Sequence, residues 1–257
     1  MHLSEKEIFR FLEEKHDLYN RPSFIANDPI SVPHQFDKKE DIEISAFLTA
    51  TLTWGIRKST INNANKLMQL MDFHPYEFII NADEADLRHF KTFVHRTFNG
   101  NDCIYFIHSL KNIYCRYGGL EKAFSDGLAR DGNIKNAIIH FRKVFLELPH
   151  HTHVEKHISD PQKNAAAKRI LMFLRWMVRN DKRGVDFGIW NSIRTDQLCC
   201  PLDIHTGITA RKLDLLKRKS NDWEAVEELT DHLKRFDPVD PVKYDYALFG
   251  LSIFEKF

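Results

Sequence analysis

A lysine and an aspartate, each placed where a helix should begin, are the residues of this sequence best suited to chemistry on a sugar. The stretch Pro201-Leu202-Asp203-Ile204-His205-Thr206 opens the run Gly207-Ile208-Thr209-Ala210-Arg211-Lys212-Leu213. Aspartate is a preferred helix N-cap, because its oxygen accepts the orphan N–H groups of the first turn. Asp203 is therefore expected to start a helix that runs through Leu216. A carboxylate so placed could also stabilise an oxocarbenium-like sugar cation or orient a water, and the two roles are compatible. About thirty-five residues upstream, Lys168 begins a second helical segment that reaches Trp176 and beyond. The helix dipole disfavours a cation in a first turn, which favours the neutral amine that a nucleophile requires. Brought together beside basic surface, the two groups could cut a glycosidic bond in a nucleic acid. Each also has a plain structural reading: a solvated helix face for Lys168 and a simple cap for Asp203.

At about 100° per residue, Lys168, Met172, Arg175 and Arg179 share one stripe, and Ile170, Leu171, Leu174, Met177 and Val178 form the apolar face. With Arg57, Lys58, Arg211 and Lys212, the cations of that stripe could line a groove for phosphates. Lys182, Arg183, Lys217, Arg218 and Lys219 would extend it. His205, one turn into its helix, reads as a packing or hydrogen-bonding member of this surface rather than an acid–base group. Trp54, Trp176 and Trp190 could stack on a flipped base, although tryptophans are more often core, and Trp176 borders the apolar face of its own helix. A formal net charge of +1 predicts modest, salt-dependent nucleic-acid binding instead of a basic coat.

His150, His151, His153 and His157 crowd one stretch, and imidazoles so gathered could bind a transition metal. No carboxylate at metal spacing accompanies them and the segment reads as a loop, so no metal site is expected. Cys103, Cys115, Cys199 and Cys200 lack the paired spacing of a zinc or iron–sulfur centre and read as reduced, buried thiols. No cofactor is expected.

The elements that must position these groups are helical. A chain of 257 residues, 43% apolar and 28% charged, has the make-up of an ordinary globular protein with a substantial core. No apolar run approaches the length that spans a bilayer and no basic-then-apolar leader precedes Ser4, so the chain is expected to be cytoplasmic, without a membrane partner. Helical spacing recurs in Ile8, Phe11 and Leu12, in Ile44, Phe47 and Leu48, and in Leu67, Leu70 and Met71. It returns in Phe106, Leu110 and Ile113, in Ile138, Phe141, Val144 and Phe145, and in Trp223, Val226, Leu229 and Leu233. Strand-like alternation is weak, and the fold class is all-α. Asp28-Pro29, Pro33, His74-Pro75, Asn99-Gly100, Gly118-Gly119 and Pro201 punctuate the helices.

Cys200-Pro201-Leu202-Asp203-Ile204-His205 and the helix after it resemble the V-D-x-H segment of helix-hairpin-helix DNA glycosylases, where the aspartate is catalytic and begins a helix. The segment from Lys168 to Arg175 is similar to the lysine-led helix after the hairpin, where the lysine attacks the sugar and forms a Schiff base. Residues 46–55, followed by Lys58 and by 63–67, are similar to the early helix pair of that fold. The resemblance covers about half the chain in the correct order, and the whole sequence also looks like a bacterial family known mainly as uncharacterised proteins. It implies a two-lobed glycosylase-like fold, with one lobe at 41–195, a second made of 1–40 with 196–257, and Lys168 and Asp203 facing the cleft between them.

The departures are specific. The superfamily hairpin uses glycines whose N–H groups hold a phosphate. Here the matching stretch is Gln162-Lys163-Asn164-Ala165-Ala166-Ala167, whose Cβ atoms are expected to oppose a positive-φ turn. Some seventeen extra residues, including 185–190, separate Lys168 from Asp203. Thr51 stands where several relatives carry a glutamine that fills the gap left by the flipped base. No four-cysteine cluster follows Phe249. The expected function is DNA repair: a base-excision glycosylase/AP lyase that binds double-stranded DNA and works through a lysine Schiff base. One alternative is a non-catalytic nucleic-acid-binding protein that keeps the fold; another is a helical protein-interaction module.

Overall fold

Ser4 accepts the Glu7 N–H while the Glu7 carboxylate accepts from the Ser4 backbone, a capping box that starts α1 (Glu5–Tyr19). The structure is a computed structural model that describes residues 4–129 and 131–257. By its internal contacts the chain divides into two units, Met1–Phe24 with Asp160–Phe257 (unit 1) and Ile25–Ser159 (unit 2). Unit 2 holds α2 (Lys39–Thr51), α3 (Arg57–Leu70), α4 (Pro75–Asn81) and the short α5 (Glu84–Leu87). An antiparallel pair of two-residue strands follows, β1 (Val94–His95) and β2 (Phe98–Asn99). The unit closes with α6 (Gly100–Asn112), α7 (Leu120–Leu128), α8 (Ile134–Phe145) and the one-turn α9 (Thr152–Glu155). Unit 1 resumes with α10 (Lys168–Val178), α11 (Ile204–Lys212), α12 (Trp223–Phe236) and α13 (Tyr244–Phe254). The all-α class holds. Among the described residues no helix is long and apolar enough to cross a membrane.

Unit 2 is built around α2, which is buried continuously from Asp41 to Thr51. Its two buried acids are used: Asp41 accepts the Tyr76 N–H at the start of α4, and Glu43 accepts the Tyr114 hydroxyl. Thr51 is buried at the end of this helix. The apolar centre is aromatic, with Phe47 and Phe145 in ring contact with each other and with both Phe106 and Phe141, and Phe124 stacked on Phe141 at 4.0 Å. Burying each such side chain contributes about 2–3 kcal/mol.

In unit 1, α13 packs against both α1 and α11. At Gly250 a Cβ would lie 2.2 Å from the Tyr19 ring, so this crossing tolerates only glycine. Trp223, Val226, Leu229 and Leu233 form the buried face of α12, as their spacing predicts. The expected lobe boundary at 195 differs from the observed division, which places α10 with the chain's two ends. The reason is a set of long-range pairings: Ala165 bridges Asp222, and Arg175 is paired with Asp245.

His16 of α1 is buried, and its Nε2 lies 3.0 Å from the Asn20 amide and 3.3 Å from the Arg179 guanidinium. Both neighbours are donors, so the ring accepts and stays neutral. Burial, and then the charges of Arg179, Arg183 and Lys243, hold its pKa down at about 4. A depressed imidazole value means that this stabilisation is present in full above about pH 6.5 and is lost as the pH falls through about 4. Between about pH 7 and about pH 4.5, the natural chain should lose about 2 kcal/mol more than His16→Gln, which keeps an acceptor that cannot titrate. Urea unfolding at the two pH values measures this, and parallel losses would remove His16 as the cause.

Candidate active site

The turn before Lys168 forms without glycine. The Asp160 carboxylate accepts the Gln162 N–H and starts a single 3-10 turn, Pro161–Lys163. Asn164 follows at φ 61° and Ala167 at φ 49°. Asparagine visits this left-handed region readily; alanine does so at a cost of about 1–2 kcal/mol. The Asn164 carbonyl accepts the Trp223 N–H at 3.0 Å, and Ala165 pairs with Asp222, so the start of α12 fixes the turn from outside. The expectation that Cβ atoms would prevent positive φ here is corrected. The N–H groups of Lys163, Asn164 and Ala165 bond back to Asp160 and Pro161, so they are spent inside the turn.

Lys168 is the first residue of α10, and Asp203 is the N-cap of α11. The carboxylate divides its work. Oδ1 accepts the Thr206 N–H at 2.9 Å, and Oδ2 lies 3.7 Å from Lys168 Nζ. Both side chains remain about a quarter exposed, at 25% and 23%, so a substrate atom can approach them. Asn221 donates to the Asp203 carbonyl at 2.9 Å and accepts from Arg211 at 2.7 Å, which steadies the cap. The helix is shorter than expected: α11 ends at Lys212, and Asp214 turns the chain at φ 57°.

Behind this pair lies a carboxyl that the motif reading missed. Asp245 is buried and paired with Arg175, within electrostatic reach of both Lys168 and Asp203. Burial pushes its pKa up to about 6; the Arg175 charge opposes that shift and the Asp203 charge adds to it. The available signal was one acid inside the otherwise apolar run Tyr244–Phe249.

The model of a family described as a protein of unknown function, DUF2400, matches residues 28–254, which take in Lys168, Asp203 and Asp245. The chain belongs to the DUF2400 family. No curated protein and no solved structure matches it.

Several expected site residues of this DUF2400 protein have other work. Arg175 and Arg179 are 5% and 1% exposed and cannot reach a phosphate; the expected basic stripe on α10 is corrected accordingly. Asp186 sits between them, 3.3 Å from Arg175 Nε and 3.1 Å from Arg179 Nη1. Asp240 and Asp181 take the other donors of Arg179, both at 2.9 Å, and the Tyr246 ring lies 4.2 Å from the Arg175 guanidinium. The insert at 185–190 supplies Asp186 and folds back onto the end of α10. Phe187 N–H bonds the Trp176 carbonyl at 2.8 Å and Trp190 N–H the Met177 carbonyl at 2.9 Å. Gly188 turns it at φ 56°, where a Cβ would be 2.3 Å from Asn180. Trp176 and Trp190 are core residues.

On α11 of the DUF2400 chain, His205 is exposed and meets Ser252 at 3.2 Å, as a hydrogen-bonding residue. Arg211 ties down the loop after its own helix through the Arg218 and Ser220 carbonyls, while Lys212 is exposed over the Phe257 ring. Arg57 and Lys58 open α3 in unit 2, and Lys58 is exposed. The cysteines are free thiols, but Cys115 is exposed, against the expectation of burial. The histidine stretch is also corrected: His153 lies on α9, and a carboxylate, Asp102 of α6, joins it and His157.

Proposed function

We propose that this chain is a DNA base-excision glycosylase/AP lyase of the helix-hairpin-helix type, acting on a flipped, damaged base such as an oxidised purine in duplex DNA. The observation that carries this reading is the approach of Lys168 Nζ to Asp203 Oδ2, 3.7 Å apart and partly open to solvent, at the starts of two helices. Asp203 takes the proton from the ammonium. The freed amine then attacks the anomeric carbon, forming an N–C bond as the glycosidic bond breaks and its electron pair leaves with the base. The proton passes from Asp203 to the departing base, and the carboxylate so restored offsets the positive charge growing on the sugar at close range. A proton moves from the new ammonium to the ring oxygen as the ring opens to the protonated imine, and the Asp203 carboxylate then takes the adjacent C–H proton as the 3′ phosphate leaves with the C–O electron pair. Lys58 and Lys212 are exposed cations that can meet phosphates, which fits modest, salt-dependent binding.

The alternative, a non-catalytic nucleic-acid-binding relative, draws on the spent N–H groups of the hairpin turn and the burial of Arg175 and Arg179. Borohydride reduction of the tag-free protein on duplexes bearing an abasic site or 8-oxoguanine separates the two. A covalent protein–DNA band is expected for the natural chain and none for Lys168→Ala, with circular dichroism showing both folded. A band that survives in Lys168→Ala removes that lysine. Binding without any band supports the alternative, and no binding at low salt removes nucleic acid altogether.

A further inference from the structure

Asp102 occupies the third position of α6 and serves its cap: Oδ2 accepts the Asn99 N–H at 2.9 Å. Capping needs one oxygen at a surface, yet this carboxylate is buried and meets two imidazoles. Its Oδ1 lies 2.8 Å from His153 Nδ1 and its Oδ2 lies 3.2 Å from His157 Nε2. Among the described residues it has no arginine or lysine partner. A buried charge is paired or coordinates a metal ion, and here the imidazoles beside the carboxylate are themselves metal-binding groups.

The histidines stand four residues apart, the spacing that sets two side chains on one side of a helical turn. His157 is held by aromatic neighbours, Trp54 stacked at 5.8 Å and Phe98 edge-on at 5.0 Å. The His153 side chain is 42% exposed, and with Asp102 it borders a cavity of about 600 Å³ lined also by His108, His150 and Asn101. The three ligand atoms lie within 4.8 Å of one another. Ligands about 2.0–2.2 Å from a tetrahedral ion are separated by about 3.3–3.5 Å, so small side-chain shifts suffice to admit one.

We infer that Asp102, His153 and His157 form a binding site for one divalent transition-metal ion of the zinc class, with a further coordination position open to the cavity. Two nitrogens and one oxygen suit such an ion, whereas calcium and magnesium require more oxygens. Three protein ligands with solvent access are the pattern of a site that keeps a water. Glu155, between the two histidines, is not a fourth ligand, because Arg142 holds it at 2.9 Å. Lys156 Nζ is 2.6 Å from His153 Nε2. When an ion takes Nδ1, the ring proton moves to Nε2 and the lysine must swing away.

Calorimetric titration of tag-free protein with zinc chloride near neutral pH, with cobalt(II) absorption as a second readout, tests this. One ion per chain is expected. His153→Ala, whose exposed ring can be removed without opening the core, should weaken binding by at least about tenfold. Asp102→Asn should do the same, and the double change His150→Ala/His151→Ala should leave affinity unchanged. A folded natural chain that takes up no stoichiometric zinc at about 100 µM overturns the inference. So does loss of binding in the His150/His151 variant with retention in His153→Ala.

Discussion

Replacing Asp186 with alanine is expected to destabilise unit 1 by about 3–5 kcal/mol, the largest stability loss we expect from a single polar substitution. The Asp186 side chain is 0% exposed and bridges two guanidiniums that are themselves buried. Removing it leaves two buried guanidiniums without the carboxylate that joins them. Asp245 and Asp240 continue to neutralise one each, so the loss should stop short of unfolding a stable domain. Asp186→Asn keeps the shape and an acceptor and should cost less, about 1–3 kcal/mol. Tryptophan fluorescence during urea unfolding is a suitable probe, since Trp176, Trp190 and Trp223 all belong to unit 1. A loss below about 1 kcal/mol would show that the bridge is replaceable.

Asp203→Asn should separate the aspartate's two roles. Asparagine caps a helix about as well as aspartate, so the Thr206 N–H keeps its acceptor and stability should change by less than about 0.5 kcal/mol. The charge opposite Lys168 disappears, however, and with it both the proton acceptor and the stabilisation of the sugar cation. Single-turnover release of the damaged base should fall by about 100- to 1000-fold. Asp203→Ala should lose as much rate and also about 1 kcal/mol of stability, because the cap goes too. Unchanged base release in Asp203→Asn would leave the residue a cap and nothing more. Improved DNA affinity without turnover in either protein would favour the non-catalytic reading.

What could be read in the sequence was local. Asp203 as an N-cap, Lys168 as a helix start and the apolar faces of α8, α10 and α12 depend on neighbours within a turn or two, and those are visible in one dimension. The fate of Arg175 and Arg179 was not, because it is decided by the fold-back of the insert that carries Asp186 and by Asp240 and Asp245, brought from the far end of the unit. A cation on a helix stripe looks solvated until its counter-charge is found. Asp102 is a similar case: it reads as half of a capping box, and its histidines lie in a segment three helices further on. The lobe boundary expected at 195 differed from the observed division for the same reason, since a bridge such as Ala165 to Asp222 leaves no mark in composition or periodicity.

The order in which the chain leaves the ribosome bears unequally on the two units. Unit 2 is a single contiguous stretch, so every contact it needs is available once Ser159 has emerged. Unit 1 is discontinuous: α1 is synthesised before any residue of unit 2, and its partner α13 after all of them. Through that interval the apolar stripe of Ile8 and Leu12 has no native surface to cover it. Closing so long a loop makes the joining of α1 to α13 a late, high-contact-order event. Chains that stall before Tyr244 should therefore carry a folded unit 2 flanked by unfolded ends, and the exposed stripe of α1 is where a chaperone would hold them.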